Sequence, residues 1–302
     1  MVGAAVCWRH RAAPVRAVHD KWPVMGTVAR LSFRDETRRE EIRRTVQETY
    51  ARLIGLMSAW DPDSELSRLS RAGCTNWTAA VSPEVAPCYR AALQLADWSG
   101  RAFNPAVGAA LRAWGMTGGR TYADFDLGAI AKGFAVDEAW RRVKARAGDV
   151  PVLLDLGGNL RVVSGVWRTG IRNPFGEGFA AVVSLTNGEA VATSGHYERF
   201  VERDGVRYSH ILDGRTGKPV TGMAGVTVIA PSAMWADGLS TTLFVLGPED
   251  GARFLARHHP QAQALWIPDT PETPTLYATA ALVPRLQSAR WLVKTVSVET
   301  EE

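Results

Sequence analysis

From Pro151 to Ala230 the sequence reads as seven candidate strands, at 151–156, 160–163, 166–172, 180–185, 189–193, 206–212 and 224–230, with no helical repeat set between them. A parallel sheet needs a crossover of a dozen or more residues, usually a helix, between successive strands. This stretch lacks that alternation, so its strands are expected to pair as hairpins. The helical repeats lie on either side. Ile42, Val46, Leu53 and Met57 recur near the helical period and predict a helix over 36–58, with Asp35 as its candidate cap. Ser64 is placed to cap a short helix carrying Leu66 and Leu69, and further helices are expected over 83–98 and 106–114. A turn from Asp126 runs on as a helix to about Arg146, carrying Ile130, Phe134 and Trp140. Beyond the strands come helices over 233–246 and 248–259, then strands near 262–267 and 275–282. One more strand, 24–33, opens the pattern, with Gly26 permitting a bend. Helices segregated from hairpins give an α+β class rather than a doubly wound sheet.

Composition narrows the function classes. The chain has 302 residues, 46% hydrophobic and 22% charged, which supports an ordinary core. Residues 1–20, rich in Ala and Arg with Asp20 as their single acid, read as a poorly ordered arm, and 21–302 as one domain. The net charge is +4, but the positives alternate with acids, as from Arg38 to Arg44, and no basic patch is interleaved with aromatics. No nucleic-acid partner is expected, although a mild positive field favours an anionic nucleotide. Cys7, Cys74 and Cys88 form no CxxC, so neither a disulfide framework nor a zinc site is indicated. No run approaches the ~18 apolar residues of a transmembrane helix. The apolar opening before Arg9 is too short for a secretory leader. As written the chain is expected in the cytoplasm; a start further upstream would make it periplasmic or membrane-anchored.

Four segments carry chemistry. GxGxxG after a strand and GxxxxGK[ST] are both absent, which argues against Rossmann and P-loop sites. Instead Asp126, small residues and Lys132 lead into a helix. Such a start suits an anion such as a diphosphate, or is an ordinary capped helix with a solvated lysine. Ala192 to Arg199 is a small-residue turn leading to polar groups. Tyr208 to Pro219 delivers His210 next to a loop of turn formers. Asp237 and Thr241 stand at i and i+4 of a helix and share a face; one carboxylate with hydroxyl and carbonyl oxygens is hard-cation chemistry, magnesium rather than zinc.

Taken together, these segments resemble the ApbE family of FAD:protein FMN transferases. The resemblance runs from about Met25 to Gly247. It rests on Met25, Gly26 and Thr27, on MSAW at 57–60 followed by Ser64, Glu65 and Leu66, and on Ala102, Phe103 and Asn104 with the later Trp114 and Gly115. It continues in DLGAIAKGFAVD at 126–137, LDLGGN at 154–159, ATSGHYERF at 192–200, SHILDGRTGKPV at 209–220 and ADGLSTTLFVLG at 236–247. The resemblance implies a T-fold-like layering of antiparallel sheets with helices. It implies FAD contacts at Met25, Trp60, Ala102, Phe103, Asn104, Asp126, Lys132 and Ile211, and magnesium on Asp237, Thr241 and the backbone oxygen of Ala129. His210 matches the family's essential histidine. The implied reaction moves FMN from FAD to a Ser or Thr hydroxyl of an acceptor flavoprotein, such as a redox-complex subunit, and releases AMP. The sequence departs from the family at Asn104, usually Asp; at Ala129, commonly Gly; at Gly214, usually Pro; and in lacking a lipoprotein signal.

Overall fold

The computed structural model describes residues 17–119, 123–197, 200–203, 205–287 and 291–296. The chain opens with β1 (Val18–Val24) and β2 (Thr27–Phe33), then the helices α1 (Arg39–Met57), α2 (Glu65–Arg71), α3 (Trp77–Ala80), α4 (Ala86–Trp98), α5 (Gly108–Ala113) and α6 (Ala131–Ala147). A long strand-rich passage follows: β3 (Val152–Leu156), β4 (Asn159–Val162), β5 (Trp167–Arg172), β6 (Phe179–Leu185), β7 (Ala190–Gly195), β8 (Phe200–Arg203), β9 (Val206–Ser209), β10 (Leu212–Asp213), β11 (Lys218–Pro219) and β12 (Met223–Ala230). The chain then forms α7 (Ala233–His258), β13 (Gln263–Pro268), β14 (Thr275–Thr279), β15 (Leu286–Gln287) and β16 (Leu292–Val296).

The main sheet has nine strands in the order β1-β2-β3-β4-β7-β12-β13-β14-β16. Every pair is antiparallel except β14 with β16. One face carries the helices. Val226 and Val228 of β12 and Ala190 and Ala192 of β7 join the core built on α1, α4, α6 and α7. The other face is covered by the small sheet β15-β6-β5, where Trp167, Ile171, Val183 and Leu185 pack against Val191, Ile229, Leu265 and Ile267. Both faces of β12 are buried, so all eight of its residues are buried and no polar alternation survives. This is the layered α+β arrangement expected.

Several expectations are corrected in detail. The strand expected at 24–33 is a hairpin, because Met25 (φ 52°) and Gly26 (φ 67°) make a left-handed two-residue turn between β1 and β2. Val18, His19 and Asp20, assigned to the arm, belong to β1, where Asp20 pairs with Arg39 at 2.6 Å; residues 1–16 lie outside the described residues. Asp35 does not cap α1. Its carboxylate closes a turn by accepting from the Thr37 N–H at 2.9 Å, and the helix starts at Arg39. The strand expected over 206–212 breaks after Ser209, whose hydroxyl takes the Ile211 N–H at 3.1 Å and competes with the ladder. Ser64 does cap α2, accepting from Ser67 N–H at 3.0 Å. The two helices expected over 233–259 are both present, running together as α7 across a break at Gly247 (φ 78°) just before Pro248.

A polar site between two helices and a sheet edge

Glycine sets the closeness of α6 and α7. A Cβ on Gly133 would lie 2.1 Å from the Ala233 carbonyl oxygen and 2.7 Å from Asp237 Cβ. The bare backbone lets the Gly133 N–H donate to Asp237 Oδ2 at 2.9 Å. Lys132, the next residue back, places Nζ 3.7 Å from Asp237 Oδ1 and donates to the Gly128 carbonyl at 3.0 Å. Gly128 N–H in turn donates to Asp126 Oδ1 at 2.7 Å, so Asp126 organises the turn from which the α6 lysine rises. Ala129 lies in this same turn, half-buried. Asp237 is only 5% exposed, and burial pushes its carboxyl above the usual carboxylate range against the pull of Lys132 and the Gly133 N–H.

The third wall is the sheet. Ser194 of β7 faces α7, its hydroxyl 2.8 Å from Ser240 Oγ and 3.2 Å from Thr241 Oγ1, while Ser240 Oγ donates to the Asp237 carbonyl at 2.8 Å. Asp237 and Thr241 thus stand one turn apart on α7, as expected, with hydroxyls between helix and sheet. The donor set is one carboxylate and several neutral oxygens. No group of three His, Cys, Asp or Glu side chains that could hold a metal occurs among the described residues. These residues fit magnesium, a hard cation that keeps water and substrate phosphate oxygens in its shell, and do not fit zinc. Asp237, Thr241 and the Ala129 carbonyl are the groups that would hold it.

A second group of expected residues meets around the 101–104 turn. Ala102 and Phe103 are buried, and the Ala102 carbonyl accepts from Gly214 N–H at 3.0 Å. Asn104 Nδ2 donates to the Gly214 carbonyl at 3.3 Å. Two of the departures from the family pattern are therefore in contact. A Cβ on Gly214 would lie 2.3 Å from Asn104 Cβ, and proline there would remove the donor to Ala102. The loop is held from its far side by Trp114, which donates to the Gly217 carbonyl at 2.9 Å. Asp213, paired with Arg215 at 2.8 Å, has its carboxyl held below the usual range by that guanidinium. Ile211 is buried in the helix-side core, and His210 beside it is half-buried at the break between β9 and β10. The two groups are tied together where Asp126 N–H donates to the Pro105 carbonyl at 2.7 Å.

Met25 and Trp60 come from other elements. Met25 packs on the helix-side core from the tip of the β1–β2 hairpin, at a positive φ that costs a side-chain-bearing residue ~1–2 kcal/mol. Such strain marks a candidate ligand contact. Trp60 is 40% exposed in the α1–α2 turn. Sequence reasoning assigned no role to Ser194, Gly133 or Asp137. Gly133 carried a signal, since a glycine inside a helix has a packing or functional reason to be there. Ser194 lies in the 192–199 segment but had no role of its own there, because only the pairing of β7 with β12 brings it against α7. Glu198 and Arg199 of the second motif lie outside the described residues.

A family model described as the ApbE family matches residues 25–124 and 119–266. The chain is 34% identical to an FAD:protein FMN transferase of Treponema pallidum, covering 87% of each chain. It is 30% identical to one of Vibrio cholerae over 90% of this chain and 94% of that one. It is 34% identical to one of Rhodobacter capsulatus over 66% of this chain, and spans 45% of that longer relative. Among solved structures, the ApbE protein of Thermotoga maritima aligns with a TM-score of 0.77 at 25% identity, over 90% of this chain and all of its own. The flavin transferase ApbE of Vibrio cholerae aligns at 0.72 and 25% identity, over 90% of this chain. The family model and these relatives define the class as a transferase enzyme of the flavin-transferase kind. More narrowly, the chain belongs to the ApbE family.

Proposed function

We propose that this chain transfers FMN from FAD to a Ser or Thr hydroxyl of an acceptor flavoprotein, a redox-complex subunit, releasing AMP, with magnesium as its resident cation. The observation that carries this reading is the buried Asp237 carboxylate, held by the Gly133 N–H at 2.9 Å with Lys132 Nζ 3.7 Å away, one helical turn before Thr241 on α7. A magnesium ion bound there supplies neutralisation of the diphosphate charge and polarisation of the attacked phosphorus. Lys132, at the start of α6, binds the diphosphate. The Trp60 ring stacks on the flavin ring. The 101–104 turn, pinned by Gly214 of the loop that Trp114 holds, orients the nucleotide beside His210. The acceptor oxygen forms a bond to the FMN-side phosphorus, the bond from that phosphorus to the bridging oxygen breaks, and AMP leaves with that oxygen. A base at His210 takes the hydroxyl proton.

The same groups with water as acceptor would make an FAD pyrophosphatase, and without turnover an FAD-binding protein. Incubation with FAD, magnesium and a flavoprotein acceptor, followed by mass spectrometry of the acceptor and chromatography of the nucleotides, separates the three. The expected result is an acceptor heavier by one FMN residue, with AMP in equal amount. Free FMN and AMP with an unchanged acceptor, or intact FAD, would overturn the reading. Among the described residues no helix is long and apolar enough to cross a membrane.

A further inference from the structure

Asp137 lies one turn beyond Gly133 on α6, is 4% exposed, and makes more polar contacts than any role in the core requires. Its Oδ1 accepts from the Ala233 N–H at 2.8 Å and from Arg161 Nη1 at 2.6 Å. Its Oδ2 accepts from the Ser232 hydroxyl at 2.6 Å and the Met234 N–H at 3.0 Å. A carboxylate offers about four acceptor positions, and all are used. Three of the four donors belong to the first turn of α7, whose N–H groups lack intrahelical partners. Ser232 provides the local cap, accepting from Trp235 N–H at 3.3 Å, so Asp137 caps the same helix a second time from its neighbour.

Arg161 completes the grip. Besides Asp137 it donates to the Pro231 carbonyl at 2.8 Å and the Gly188 carbonyl at 3.2 Å, and its guanidinium lies 3.9 Å from the centre of the Trp140 ring. The segment entering α7 is therefore held from two elements at once. Asp137 and Gly133 are i+4 and i on one face of α6, and their contacts on α7, at 233–234 and 237, are likewise one turn apart. Contact at Gly133 alone would leave α7 free to rotate about that point. Two attachments a turn apart fix both its rotation and its position along α6.

We propose that Asp137 is a positioning residue for the metal-binding carboxylate: by clamping the first turn of α7 to α6 it fixes where Asp237, and Thr241 one turn on, present their oxygens. This rests on the reading of Asp237 as a magnesium ligand. The alternative is a helix cap that stabilises the fold and leaves magnesium affinity alone.

The test uses binding, not turnover. FAD affinity of the purified chain is followed by flavin fluorescence across a magnesium titration, alongside the thermal midpoint, for wild type, Asp137→Asn, Asp237→Ala and Val143→Ala. Val143 is buried on the same helix, so its truncation is a stability control. Loss of a residue that orients a metal ligand typically weakens metal affinity about 10–100-fold. Asp137→Asn is expected to raise the magnesium half-saturation about tenfold or more, with FAD affinity in the absence of magnesium unchanged. Val143→Ala is expected to lower the thermal midpoint and leave the half-saturation in place. An unchanged half-saturation in Asp137→Asn, or an equal shift in Val143→Ala, would overturn the proposal. If Asp237→Ala keeps the full magnesium effect, the magnesium reading itself fails, a result separate from the other two. Should Asp137→Asn not fold, Ser232→Ala, which removes one of the four contacts, is read in the same way. A severalfold shift supports the clamp and no shift overturns it.

Discussion

Gly133→Ala tests whether the α6–α7 contact is as close as the structure requires. Helix propensity alone says the change should stabilise, since alanine in a helix interior is favoured over glycine by ~0.5–1 kcal/mol. The geometry says the opposite. The new Cβ would lie 2.1 Å from the Ala233 carbonyl oxygen, where ordinary contact begins near 3.4 Å, and that oxygen is backbone. The helices must part by more than 1 Å. Overpacking of this kind costs ~1–3 kcal/mol. Parting the helices also stretches the 2.9 Å bond from Gly133 N–H to Asp237 Oδ2 beyond hydrogen-bond range. Losing a bond to a charged acceptor costs a further ~1.5–3 kcal/mol. After the propensity gain is subtracted, the variant should be less stable by ~2–5 kcal/mol. Urea unfolding followed by circular dichroism measures this directly, with the slope checked for constancy. A variant as stable as wild type, or more stable, would refute the close contact and with it the seating of Asp237.

Met25→Gly should relieve the positive φ at the β1–β2 turn and stabilise the chain by up to ~1 kcal/mol, while weakening FAD binding; calorimetric melting and flavin fluorescence on one sample check both, and a variant with lower stability contradicts the strain. His210→Asn should bind FAD within a few-fold of wild type yet flavinylate an acceptor ~10²–10⁴-fold more slowly; equal loss of both would make the residue a binding or structural group. His259, buried beside Trp98 and Trp235, has its pKa lowered from 6.5 to about 4, mainly by burial. Because the unfolded chain takes up this proton first, stability should fall as the pH drops from 6.5 towards 4 and level off below. His259→Gln should flatten that portion of the urea-midpoint profile, and an unchanged profile would exclude His259 as its source.

Much of the fold was legible because the periodicities were local. The repeat of Ile42, Val46, Leu53 and Met57 placed α1, the succession of short strands gave an antiparallel sheet, and Gly247 with Pro248 marked the bend in α7. What was not legible depended on chemistry competing with periodicity. Ser209 breaks a run that reads as one strand, and Asp35 closes a turn where a cap was expected. At the site, Asp237 and Thr241 stood out because their residue types and spacing carry meaning along one helix, and Lys132 because it follows a small-residue turn at the start of another. Ser194 and Asp137 did not, since their roles arise only when β7 and α6 are packed against α7. The departures at Asn104 and Gly214 also read as unrelated in sequence, and only the structure places them against each other.

The central claim is that Asp237 holds the metal that drives FMN transfer. The most direct measurement is adduct formation on an acceptor flavoprotein as a function of magnesium, comparing wild type with Asp237→Ala under conditions where both melt as folded chains. Wild-type labelling is expected to require magnesium and to saturate with it, and Asp237→Ala to give no adduct at any concentration despite native-like melting. Wild-type labelling that persists in chelator, or Asp237→Ala turning over at limiting magnesium as fast as wild type, would contradict it.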